Sequence, residues 1–141
     1  LNDLKVDTTI TGFHFAGDFN GTFVYTPNGR SDIKANKGFS YFSFTILRNT
    51  TMKAATDQLE TLANNSIQDG FYLSELVKTD TTINGNKAVL ILFVRTKGNS
   101  KTMVFNAVIM KRKTAIIFAC SDIDKGKHYE KFKNTFYTME L

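Results

Sequence analysis

Seven consecutive positions, Ala88-Val89-Leu90-Ile91-Leu92-Phe93-Val94, carry no polar side chain, and Ala115-Ile116-Ile117-Phe118-Ala119 repeats the pattern. Side chains along a strand point alternately to opposite faces, so a strand apolar on both faces has to be covered on both. The run is far shorter than the 18 or more residues of a membrane-spanning helix. It therefore predicts the central strand of a sheet with a layer above and a layer below.

The flanking segments supply such a sheet and its covers. Ile10 to Phe15 alternates weakly, and Thr22 to Thr26 reads as a strand stopped by Pro27-Asn28-Gly29. After a polar loop from Arg30 to Lys37, the run Phe39 to Leu47 puts Phe42, Phe44 and Ile46 on one face and Phe39, Tyr41 and Leu47 on the other. Beyond Asn49 the period becomes helical, with Met52, Ala55, Leu59 and Leu62 on one side, Thr50 or Thr51 as the cap, and an end between Asn64-Asn65 and Gly70. Phe71 to Ile83 is extended again, and Asn84-Gly85-Asn86 is a tight hairpin turn into the buried strand. Turns at Lys97 to Ser100 and at Lys111-Arg112-Lys113 make the following strands a four-strand antiparallel meander. Ser121 and Asp124 have the spacing of a capping box, with Asp122 and Asp124 as first-turn acids of a last helix that aligns Tyr129, Phe132 and Phe136.

Two helices and a sheet apolar on both faces fit best with one helix on each side: an α+β, three-layer α/β/α sandwich around an antiparallel meander. The competing arrangement has both helices on one face and a sheet curled around a hollow. At 141 residues the chain is the size of one domain. Residues 1–22 read as an N-terminal extension or hairpin, and residues 23–141 as the domain proper.

Side-chain chemistry is sparse. His14 and His128 stand far apart, and no HxxxH, HExxH or CxxC spacing is present. Cys120, the single cysteine, closes an apolar strand and reads as a small buried hydrophobe rather than as a nucleophile with a histidine base. Gly12, Gly17 and Gly21 lack the spacing of a phosphate-binding loop, and the acids near Asp122 lack that of a calcium loop. No catalytic residue, metal ligand or cofactor is assigned, and the expectation is a protein that is not an enzyme.

Charge is concentrated: Arg95 to Lys133 holds ten Lys or Arg against three acids, a formal +7 in a chain whose total is +5. Lys97, Lys101, Lys111, Arg112 and Lys113 at the hairpin tips are the candidate partner-binding residues, while scattered lysines equally serve solubility. Nucleic-acid binding is disfavoured because the aromatics alternate as core residues instead of forming a stacking platform. Phe13, Phe15, Phe19, Phe23 and Tyr41 are candidate lining for a pocket under a curled sheet, or simply core of the N-terminal hairpin.

The strand ending at Pro27, the strand from Phe39 followed by a helix near Met52, the Thr82-Ile83-Asn84-Gly85-Asn86-Lys87-Ala88 hairpin and the terminal Tyr129-x-x-Phe132-x-x-x-Phe136 together resemble the PsbP-like sandwich family, which includes the Mog-type proteins and the envelope lipoprotein DcrB. The usual Trp after the Pro is missing here. The resemblance implies the α/β/α sandwich and a non-catalytic binding or accessory protein of the bacterial envelope, meeting another protein or envelope component through a sheet edge or the basic tips. A small apolar-ligand carrier is the alternative. A periplasmic, outer-membrane-anchored or secreted location is implied with it, and the start at Leu1 rather than Met leads us to expect a removed upstream segment bearing a signal or lipid anchor.

Overall fold

The computed structural model describes residues 4–30 and 40–141. The expected polar loop from residue 31 onward, and Phe39 at the head of the third strand, lie outside the described residues. The element order is β1 (His14–Phe19), β2 (Thr22–Thr26), β3 (Tyr41–Leu47), α1 (Met52–Gln68), β4 (Tyr72–Ile83), β5 (Asn86–Lys97), β6 (Ser100–Lys111), β7 (Thr114–Asp122) and α2 (Tyr129–Tyr137). The strands form one antiparallel sheet in the order β1-β2-β3-β7-β6-β5-β4. One helix covers each face, so the chain is an α+β sandwich.

Alternation along the central strands divides the core in two. Leu90, Phe105, Ala107, Ile116 and Phe118 face α2, where Phe132 and Phe136 are fully buried against them. Val89, Ile91, Val108 and Ile117 face α1, which meets them with Ala55, Leu59 and Ala63. Asn84 and Gly85, at φ of 50° and 78°, give the β4–β5 turn the left-handed pair that a two-residue hairpin needs. The start of α1 is held by Thr51, whose hydroxyl accepts the Ala54 N–H at 3.1 Å.

Several local expectations are corrected. The first strand begins at His14 rather than Ile10, because residues Thr8 to Thr11 form a turn and Gly12 follows at φ 71°. The stripe of α1 runs through Ala63 instead of Leu62, which is 40% exposed, while the helix ends at Gln68, within the expected interval from Asn64-Asn65 to Gly70. The capping box does not form: Ser121 and Asp122 are still strand, and α2 starts at Tyr129. Asp122, fully buried, instead holds the connection, accepting the N–H of Asp124 at 2.8 Å and of His128 at 2.6 Å. Within residues 1–22, read from the sequence as an extension or hairpin, residues 14–19 form β1, which pairs with β2 as a hairpin at the sheet edge, and Phe13 just before it enters the core.

Candidate functional site

The two helices are offset diagonally across the sheet. α1 lies over β4 to β7, whereas α2 lies over β6 and β7, with its Phe132 reaching Phe42 of β3 and Phe13. Each helix therefore leaves half of its own face uncovered.

On the α1 side the open half is a cleft of about 530 Å³ between the helix and β3, β7 and β6. Its floor is polar where the opposite face is aromatic. Ser43, Ala119 and Asn106 stand side by side across three strands, with Ser121 one step along between Tyr41 and Val104. Thr22 and Thr45 share a hydrogen bond of 2.8 Å, and Ser43 reaches the Ala119 carbonyl at 3.4 Å. Asn106 is only 4% exposed, yet its carboxamide bonds to no described residue. Gln58, Thr61 and Leu62 of α1 form the wall. Arg95 closes one end: its guanidinium carbon lies 4.9 Å from the Phe71 ring centre, one terminal nitrogen donates to Ser66 Oγ at 3.3 Å, and Nε is buried without a partner among the described residues.

The α2 side has its open half along β4, the outermost strand. Tyr72 and Val77 pair with Thr96 and Leu92 and so point to this face, beyond the reach of α2. They are 71% and 51% exposed, and Leu76 in the adjoining bulge is 59% exposed. The bulge comes from one extra residue between Ser74 and Val77, with Glu75 at φ 55°. On the other face Lys78 bonds Glu60 of α1 at 2.9 Å, which raises the lysine pKa.

The basic residues anticipated at the hairpin tips do not form one patch. Lys97 and Lys101 flank the β5–β6 turn, while Lys111, Arg112 and Lys113 flank the β6–β7 turn, at opposite ends of the 12-residue β6. That separates them by roughly 35 Å. Lys97 donates to the Asp69 carbonyl at 2.7 Å and Lys111 to the Leu141 carbonyl at 2.7 Å. Arg112 joins Arg48 beside Leu4, Ile46 and Leu141 in a second hollow. The five aromatic candidates are divided as well. Phe13 packs on Phe42, Phe132 and His128, Phe15 on Tyr25, and Phe23 on Phe44, all on the α2 side. Tyr41 lines the cleft on the other side, and Phe19 pairs with Thr22, which also lines it.

Cys120 is buried on the α2 face, and burial pushes its thiol pKa well up. His14 is exposed on β1. His128 Nε2 lies 2.8 Å from Asp124 Oδ2, the same oxygen that accepts from Ser40 at 3.0 Å. Serine and histidine thus both lean on the carboxylate instead of on each other, which ties down a loop and leaves the hydroxyl without a base. Among the described residues no group of three His, Cys, Asp or Glu side chains is placed to hold a metal ion. No described helix is long and apolar enough to cross a membrane.

No protein-family model and no curated protein matches the chain. Solved structures do. Cyanobacterial PsbP (CyanoP) from Synechocystis sp. PCC 6803 aligns over 100% of this chain and 94% of its own, at 16% identity and a TM-score of 0.59. PA94 from Pseudomonas aeruginosa, of unknown function and described as a candidate regulator, aligns over 87% and 84% at 17% identity and a TM-score of 0.54. A protein from Bacteroides thetaiotaomicron VPI-5482 aligns at 11% identity and a TM-score of 0.58 over 99% of this chain, which spans about half, 48%, of that one. At these identities the likeness is one of fold: the chain has a PsbP-like fold.

Proposed function

We propose that this chain is a non-catalytic binding protein of the bacterial envelope, whose macromolecular partner lies along the free edge of β4. The observation that carries this reading is the set of three exposed apolar side chains, Tyr72, Leu76 and Val77, on a 12-residue strand that no other described strand pairs with on its outer side. An outer strand offers a row of unpaired N–H and C=O groups, and side chains of alternate residues add specificity when an extended segment pairs with it. The opposite edge is a poorer platform, since β1 has six residues and is bulged between Phe15 and Gly17. The PsbP-like fold supports an accessory role outside the cytoplasm, while photosystem and GTPase partners are not carried over with it.

The test is crosslinking and capture from the envelope fraction of the source cells, comparing the unmodified protein with a Leu76→Lys/Val77→Lys variant. Both positions are on the surface, so the variant should fold with stability unchanged to about 0.5 kcal/mol. A defined partner retained by the first and lost by the second is expected. Equal capture by both proteins, or recovery of the protein itself in the cytosolic fraction, overturns the reading.

A further inference from the structure

We infer that the cleft between α1 and the β3–β7–β6 floor binds a small organic carboxylate, its acid group held by Arg95 and its body read by Asn106. The site lies on the opposite face from the β4 edge and does not depend on the reading given above.

Asn106 is the first ground. A carboxamide with two donors and an acceptor, 4% exposed in the middle of a sheet, bonds to no described residue and keeps its polar atoms open to the cleft, where a ligand can take the place of the water they meet. Here it sits between Ile91 and Ala119, and the small Ala119 leaves open the space into which the amide faces. Ser121, 3% exposed, also makes no side-chain hydrogen bond to a described residue and borders the same space. Hydrogen-bonding capacity is thus collected at one spot where the described residues leave it free for water or a ligand.

Arg95 is the second. Phe71 and Ser66 fix its position but take one of its five donors, so its charge stays under-satisfied. No described residue lining the cleft is acidic. One guanidinium without a counter-charge calls for an anion. Among the described residues the cleft offers one cationic side chain, which matches a single carboxylate in charge better than a doubly charged phosphate. The floor and wall also bring Leu62, Phe93, Val104 and Ile117, so the ligand carries an apolar body besides its acid. The volume is in the range of small-molecule sites.

The probes are 4-hydroxybenzoate, its methyl ester and inorganic phosphate, each titrated into protein labelled for amide NMR. The acid is expected to give saturable shifts confined to Arg95, Ser43, Asn106, Ser121 and the stretch of α1 from Gln58 to Ser66. The ester should bind about tenfold more weakly or not at all, as should the acid on Arg95→Gln and on Asn106→Leu. Spectral dispersion verifies that each variant is folded, and the acid-against-ester comparison tests the charge on the unmodified protein. Absence of saturable shifts at the cleft, equal binding of acid and ester, or tighter binding of phosphate than of the acid would each overturn the assignment.

Discussion

The two faces of this sheet are made by the same strands and yet are built differently. Under α2 lies a continuous aromatic layer: Tyr25 stacks on Phe42 at 4.8 Å between ring centres, Phe118 stacks on Phe136 at 5.5 Å, and Phe105 meets Phe136 edge-on at 5.8 Å. Under α1 the contacts are aliphatic apart from Phe93, and they give way to serine, threonine and asparagine as soon as the helix ends its coverage. A strand whose odd and even positions differ this much can carry stability on one side and recognition on the other. The aromatic side holds the sheet together, which frees half of the other side to stay wet and polar.

That division can be attacked directly. Phe42→Ala, in the aromatic layer, should lower stability by about 4 kcal/mol in chemical denaturation, since a fully buried ring leaves a cavity. A loss under about 1 kcal/mol would show that this layer is not the anchor. Leu59→Ala, the one large buried side chain of α1, should cost less, about 3 kcal/mol, because its alanine neighbours let the helix settle inward. If it costs more than Phe42→Ala, the assignment of the two sides is reversed.

The dryness of the α2 side has its own reporter in Cys120. Burial raises the thiol pKa in the folded chain, so above the ordinary value of 9.0 the unfolded chain gives up a proton that the folded chain keeps. Stability contributed this way is fully present below that value and is lost as pH rises past it. Tyr25 and Tyr129, also raised by burial, act in the same direction. Denaturation midpoints followed into alkaline solution should decline, and Cys120→Ala should make the decline shallower; an identical slope would mean that water reaches the sulfur. The smallest effect belongs to the cleft. Asn106→Leu should leave stability unchanged or raise it by up to about 1 kcal/mol, because it trades an amide that bonds to no described residue for an apolar side chain at a nearly buried position. A clear loss in the same denaturation assay would make Asn106 a structural piece.

Much of this architecture was legible in the residues. The unbroken run from Ala88 to Val94 required covers on both faces, Asn84-Gly85 fixed a hairpin, and Tyr129, Phe132 and Phe136 marked the packed side of the last helix. Leu62 misled because its spacing fits a helix stripe as well as Ala63 does, and only the seating of α1 on the sheet decides between them. The tips could have been separated from sequence alone, since successive turns of a meander fall at opposite ends of the shared strand. The cleft left only a faint trace. Asn106 interrupts the apolar run Met103 to Met110, and Ser43 interrupts a phenylalanine-rich strand, but nothing local tells a polar residue facing a helix from one facing open space. Which half of each face stays bare follows from where the helices land, and that is set by packing far along the chain.

Ala55 and Ala63 hardly enter the cleft story, for neither lines it, yet they fix the height of its roof. Side chains of one carbon let the α1 backbone sit close to the strands, so the aperture beside it is dictated by residues a ligand never touches. Lengthening either alanine would jack the helix upward and retune what fits beneath, giving evolution a dial for selectivity that spares every contacting group.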